Sequence, residues 1–198
     1  MLTLGISTSS KNPSAAVMRD GDVISFRIDE SGRSHSAVLM SLIEGALKDA
    51  AAAPSELDLI AVDIGPGSFT GVRIGVSCAN AMAFALGIKV VPVCSLAAIR
   101  NLVPEDSVVC SLIDCRNGNC YAALYRDVEC IMEPSAAVIA EVLPSDGASI
   151  VGDCCGRQDH PNARLVLAEA NKGMIEALPE AVPMYLRPSQ AERMRTEK

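Results

Sequence analysis

The residues best suited to chemistry lie in the run Ile64-Gly65-Pro66-Gly67-Ser68-Phe69-Thr70-Gly71-Val72-Arg73-Ile74-Gly75. Gly65, Pro66 and Gly67 break any regular element, and the hydroxyl of Ser68 or Thr70 can cap the first free backbone donors of a helix that begins near Gly71. A glycine turn that opens a helix aims several N–H groups and the positive end of a helix dipole at one spot, where an anion is held. A second hydroxyl-rich turn, Ser7-Thr8-Ser9-Ser10, closes the first apolar run of the chain. Ser7, Thr8, Ser9, Gly65, Gly67, Ser68, Thr70 and Arg73 are thus the candidate nucleotide- or anion-binding set, for the phosphates of ATP or ADP. The spacing is not that of a Walker loop, because no lysine lies between Asp63 and Leu86; nor is it the dinucleotide fingerprint, because Gly65, Gly67 and Gly71 are one residue too far apart. Two readings stay open: an anion cradle, or a close-packed turn that needs glycine only for its backbone geometry.

The elements that must position these residues follow from apolar periodicity. Residues 1–7, 14–19 and 23–28 read as three antiparallel strands, the last two joined by the turn Asp20-Gly21. Residues 35–53 read as a helix with Ser34 as cap and Leu39, Leu42, Ile43, Ala46, Leu47 and Ala50 on one face, ended by Pro54. Residues 59–64 are apolar except for Asp63, as in a strand buried on both faces. The helix 70–86 is apolar all round, with Val72, Val76, Ala79 and Ala83 on one side and Ile74, Cys78, Ala81 and Ala85 on another. A helix of that kind must be covered all round, so one face should lie on the sheet and the other on a second helix or a partner. Leu39, Leu42, Ile43, Ala46, Val72, Val76, Ala79 and Ala83 are the interface residues that this predicts.

Gly87 ends the helix, and residues 88–93 form another buried strand before a short helix at 96–102. The pattern restarts after Val103-Pro104-Glu105-Asp106, which predicts a first lobe over 1–104 and a smaller second lobe over 105–198. The second lobe should hold strands at 108–113 and 120–125, a helix at 135–142, a strand at 149–151, a helix at 163–170, a strand-like tail at 183–188 and a polar end at 190–198.

Composition narrows the function classes. In 198 residues the chain carries a formal net charge of −7 and 3% aromatic residues with no tryptophan, so neither a basic groove nor a row of stacking rings is offered to RNA by this chain alone. The N-terminus lacks the basic flank and apolar core of a signal peptide, and the apolar stretch 74–99 is broken by Asn80, Gly87, Lys89 and Pro92, so a cytoplasmic chain without a membrane span is expected. Eight cysteines in such a compartment read as thiols. Cys154-Cys155 with His160 are the nearest approach to metal ligands, but no C-x-x-C pair occurs, and no metal site is expected.

Two strands of evidence in the residues meet in one family. The order of strands and helices is that of the α/β, two-lobed actin-like ATPase (RNase H-like) fold, with mixed sheets flanked by helices. The glycine run, Asp114-Cys115-Arg116 followed by Tyr121-Ala122, and Tyr185-Leu186-Arg187 resemble the TsaB (YeaZ) family of bacterial tRNA threonylcarbamoyladenosine biosynthesis proteins. The resemblance implies a non-catalytic subunit that pairs with a TsaD-type sister protein, the transferase acting on adenosine 37 of ANN-decoding tRNAs, and with a small TsaE-type ATPase. It also implies a homodimer when alone, tRNA contact only through the complex, and ATP or ADP as a candidate ligand at the interface. Where the sister family carries its metal-binding H-x-x-x-H pair, this chain has Ser95 and Ile99. Where superfamily ATPases end the first strand in aspartate, it has Ser7, which cannot supply the charge that helps hold magnesium. The alternative expectation is a stand-alone nucleotide-binding protein or weak ATPase; a protease reading lacks a recognisable nucleophile–histidine motif.

Overall fold

A computed structural model describes residues 1–104, 107–144 and 147–187. The first sheet is built from β1 (Leu2–Ser7), β2 (Ser14–Arg19), β3 (Asp22–Ile28), β4 (Leu59–Asp63) and β5 (Lys89–Val93), in the order β3-β2-β1-β4-β5. β1 to β3 form an antiparallel meander, whereas β4 runs parallel to both β1 and β5. The second sheet, β8-β7-β6-β9, repeats the pattern with one strand fewer: β6 (Val108–Asp114), β7 (Asn119–Arg126) and β8 (Glu129–Val138) form a meander, and β9 (Ser149–Gly152) lies parallel to β6. Mixed sheets flanked by helices are the α/β architecture that the sequence predicts.

Helices α1 (His35–Asp49) and α2 (Phe69–Leu86) cover one face of the first sheet, burying Leu39, Ile43, Ala46, Val72, Val76, Ala79 and Ala83 against Leu4, Ile6, Val17, Ile60 and Val62. Helices α3 (Ser95–Ile99) and α5 (Ala163–Ala170) cover the other face, where Ala98, Ala163, Val166 and Leu167 meet Ala16, Met18, Ala61 and Val91. Leu96 and Ile99 of α3 also pack on Val109, Ile113 and Tyr125 of the second sheet, so α3 is the wedge between the lobes. The short α4 (Ile139–Val142) lies beside Cys110, Leu112, Cys120 and Cys154. These thiols pack as small apolar groups, and burial pushes Cys120 up to about 11 and Cys154 up to about 12, which keeps both protonated at neutral pH. α2 is long and apolar enough by composition to cross a membrane, yet one of its sides lies on the first sheet.

Several expected boundaries move. The first helix stops at Asp49 rather than at residue 53, because Ala51 takes a left-handed φ of 49° and the N–H groups of Ala51 and Ala52 close on the carbonyls of Lys48 and Leu47. That is a Schellman closure with alanine in the usual glycine position. Ser34 begins the helix but makes no side-chain cap; its hydroxyl pairs with that of Ser36 instead. Residues 135–138, expected to be helical, belong to β8, and only residues 139–142 turn into helix. Pro134 hid this strand: its missing N–H falls at an irregularity of the β7–β8 ladder, on a sheet edge where no further strand needs it.

The expected division at residue 104 does not follow the packing. The second sheet does begin after it, but α5 returns to β1, β2 and β4 of the first sheet, and Leu178 bridges Val90 at its open edge. The tail 183–187 is irregular rather than strand-like; Pro188 and the polar end lie outside the described residues.

Candidate functional site

Two places emerge: a cleft between the lobes at the glycine turn, and the outward face of α1 and α2. The cleft is about 630 Å³, with Ser9, Ser10, Lys11, Gly67, Ser68 and Thr70 on the first-lobe side, Asp114, Arg116 and Asp153 on the second, and the tail from Met184 to Arg187 along one wall. The Nε2–H of His35 donates to the carbonyl of Ser10 at 2.8 Å on this rim.

The glycine turn does what its sequence allows locally. Ser68 accepts from the N–H of Gly71 at 3.2 Å and caps α2, and Gly65 has φ 93°, out of reach of most other residues. Other glycines bring backbone against backbone. A Cβ on Gly71 would stand 2.0 Å from the Thr8 carbonyl, and one on Gly67 2.5 Å from the Ser9 carbonyl. The first turn of α2 is thereby pressed onto the turn after β1, and the N–H of Ser68 donates to the Ser9 carbonyl at 2.7 Å. Gly71→Ala should therefore lose about 3 kcal/mol of stability, the upper part of the overpacking range, in urea unfolding; an unchanged midpoint would show that the turn yields without penalty.

The hydroxyl turn is itself tied inward. Ser7 and Ser9 donate to Oδ2 of Asp63 at 2.8 and 2.5 Å, Ser95 donates to Oδ1 at 2.5 Å, and the N–H of Gly65 donates to Oδ1 at 3.0 Å. Thr8 donates to the carbonyl of Gly71 at 2.7 Å. Asp63 is fully buried, and burial raises its carboxyl above the ordinary range although all four donors pull it down. Ser7, Thr8 and Ser9 are therefore buried with their hydroxyls engaged inward, those of Ser7 and Ser9 on the Asp63 carboxyl and that of Thr8 on the Gly71 carbonyl, which takes these hydroxyls away from an anion cradle. Nothing in the sequence of the turn signals this; the cue was Asp63, a lone acid in an apolar strand that must find donors. Of the candidate set, Gly67, Ser68 and Thr70 line the cleft together with Ser9, whose hydroxyl is spent on Asp63. Arg73 is not among the lining residues but sits against two that are: its Nε donates to the Tyr185 hydroxyl at 3.0 Å, and its guanidinium lies 4.5 Å from the ring centre of Phe69, on which Tyr185 stacks. Among the described residues, no group of three histidine, cysteine or acidic side chains converges as a metal site.

Comparison with known proteins bears on this geometry. A model of the family described as TsaD, tRNA N6-adenosine threonylcarbamoyltransferase, matches residues 29–155. An uncharacterised protein of Mycobacterium tuberculosis is 32% identical over 195 residues, covering 93% of this chain and 90% of that protein. The tRNA threonylcarbamoyladenosine biosynthesis protein TsaB of Bacillus subtilis is 36% identical over 127 residues, 64% of this chain and 56% of that protein. YeaZ from Pseudomonas aeruginosa superimposes with a TM-score of 0.75 at 25% identity, over 93% of this chain and 99% of that one. The chain belongs to the TsaB/YeaZ family.

In this TsaB/YeaZ chain Ser95 donates to the buried Asp63 and Ile99 is core, so both carry structural roles. The interface residues need a larger correction. Leu39, Leu42, Ile43, Ala46, Val72, Val76, Ala79 and Ala83 are all buried within the chain's own core. They face the sheet, where they pack with Leu4, Ile6, Val17, Ile60 and Val62. Arginine at Ala79 or Ala83 would disrupt that core rather than test a partner contact. The exposed stripe is Arg73, Ser77, Ala81, Phe84 and Ala85, flanked by half-buried Ile74, Cys78 and Met82. Met40 of α1 continues it, 3.7 Å from Cys78. Phe84 is 90% exposed and Met40 49%. Periodicity alone separated the two helix sides but could not say which one the sheet would take.

Proposed function

We propose that this chain is a non-catalytic subunit in the formation of N6-threonylcarbamoyladenosine at position 37 of ANN-decoding tRNAs, working in the cytoplasm. It docks a TsaD-type transferase through the outward face of α1 and α2, in an assembly that also takes a TsaE-type ATPase. The carrying observation is Phe84, a large apolar side chain almost wholly in solvent near the end of α2, beside exposed Ala81 and Ala85 and half-buried Cys78 and Met82; an exposed apolar face of that kind marks an interaction site. The alanines beside it let a partner helix approach closely, and the same face would close on a second copy when the sister protein is absent.

Light scattering after size exclusion, on the chain alone and mixed with the TsaD-type protein, tests this. A stable one-to-one complex is expected, and Phe84→Glu should weaken it by at least ~30-fold, the effect of a hot-spot side chain worth about 2 kcal/mol, with the thermal midpoint of the free chain unmoved. No complex at micromolar mixing would refute the reading. A stand-alone nucleotide-binding role has one observation in its favour, the basic side chains Lys11, Arg116 and Arg187 around the cleft. The inward commitment of Ser7, Thr8 and Ser9 speaks against it as a phosphate cradle, and titration of ADP and ATP against the free chain, with phosphate release followed, separates the two.

A further inference from the structure

The last described stretch of the chain, residues 178–187, touches in succession the sheet edge, α2, the glycine turn, the start of α2 and the second lobe. Leu178 exchanges two backbone hydrogen bonds with Val90, each 2.8 Å, and Ala181 is held from both sides by the Asn80 amide at 2.9 Å. The N–H of Met184 donates to the Ile64 carbonyl at 2.7 Å, next to Gly65. Tyr185 stacks on Phe69 with ring centres 4.6 Å apart and accepts from Arg73, and Arg187 then reaches across to donate to Oδ1 of Asn119 in the β6–β7 hairpin at 3.0 Å. All but the last of these hold the segment to the first lobe. The hairpin turn it reaches is small and strained: Arg116 and Asn117 both have positive φ, and its bonds include Cys115 to Asn119, Asn119 to Arg116, Arg116 to the Asp114 carboxylate, and the Ile139 N–H to the Gly118 carbonyl. Asn119 also braces that turn through its own Nδ2.

We propose that residues 178–187 are a strap through which the outward face of α2 and the position of the β6–β7 hairpin are linked. Arg73 is the joint. It opens the exposed stripe of α2 and at the same time holds Tyr185 by its hydroxyl. A partner carboxylate that pairs with Arg73 withdraws the Nε–H from Tyr185, loosens the strap two residues before Arg187, and releases the hairpin on the far side of the cleft. The two states differ in a named contact at each end, which is what linkage requires; the effect is reciprocal, so a chain without the strap binds the partner more tightly. The partner arm rests on the docking reading above, whereas the strap itself does not.

Amide hydrogen exchange tests it on the full chain. In the free protein, Arg187→Ala and Arg187→Gln should each speed exchange at Arg116 and Asn119 about tenfold, leaving the first sheet unchanged. A saturating TsaD-type partner should speed the same amides in the wild type. Tyr185→Phe, which keeps the ring stack and removes the hydroxyl, should abolish that partner-induced change while still binding. Equal hairpin exchange in the wild type and both Arg187 variants would overturn the strap. A bound partner that leaves wild-type hairpin exchange unchanged would overturn the linkage. Absence of any complex would overturn the docking reading and the linkage with it, while the free-chain comparison still decides the strap.

Discussion

Asp63→Ala should cost about 3–5 kcal/mol of folding stability, the low end of about 1–3 kcal/mol for each of four buried donors left without an acceptor. The substitution leaves three hydroxyls and the Gly65 N–H without their acceptor in a site closed to solvent. The donors come from three parts of the chain: Ser7 at the end of β1 and Ser9 in the turn after it, Ser95 at the start of α3, and the Gly65 N–H in the glycine turn. The carboxylate is thus the centre on which the floor of the cleft is assembled. Against a total stability of about 5–15 kcal/mol, the loss amounts to a large fraction of the whole, and a fall of about 10 °C or more in the thermal midpoint is expected for a chain of this size. A loss below about 1 kcal/mol, the worth of one ordinary hydrogen bond, would show that the hydroxyls have found other acceptors.

The same residue predicts a pH dependence, and its sign follows from which state binds the proton. Burial holds the folded carboxyl above its ordinary range. Between the unfolded value, about 4, and the raised folded value, the native state keeps a proton that the unfolded chain has lost. Stability contributed by this group is therefore present below that window and declines as pH rises through it. Asp63→Asn has no such proton to lose, so the stability of the wild type relative to Asp63→Asn should fall on going from pH 4 upward. Denaturant melts of both proteins across that range check this, and a relative stability that rises with pH would reverse the assignment.

What the sequence made legible was local and periodic. The meander β1–β3, the strand and helix around the glycine turn, and α5 were readable because apolar spacing and turn residues agree there; residues 163–170 match the observed helix from end to end. The β8 strand was hidden by Pro134, whose tolerance depends on being at an edge, a property of the assembled sheet. The same limit applied to the sites. That Ser7, Thr8 and Ser9 carry hydroxyls was plain, but whether hydroxyls face solvent or a buried acid is settled by a residue more than fifty positions away. For α2, two apolar sides were visible, and only the sheet decided which would be covered and left Phe84 outside.

Arg100→Met should cost about as much as loss of the Asp63 centre, again about 3–5 kcal/mol, and act on the junction between the lobes. Arg100 is 4% exposed; its Nη2 donates to both oxygens of Glu169 at 2.8 and 3.0 Å, and its Nε to Oε2 at 3.2 Å. It also donates to the carbonyl of Asp127 and lies 5.2 Å from the ring centre of Tyr125. One guanidinium thus ties the turn after α3, helix α5 of the first lobe and the β7–β8 turn of the second, beside the apolar cluster of Leu96, Ile99, Tyr125 and Leu165 that packs across the same junction. Removing it strands the Glu169 carboxylate, with Asn101 donating at 3.0 Å and Lys172 at 3.6 Å as its remaining partners. The penalty is therefore mainly that of a buried charge left with one neutral donor and a more distant ammonium, which gives the sharper test. The double variant Arg100→Met/Glu169→Leu should recover most of the loss, because an apolar pair of similar volume needs no partner. If the double variant proves as unstable as Arg100→Met alone, the hold on Asp127 and Tyr125, rather than the ion pair, is what joins the lobes.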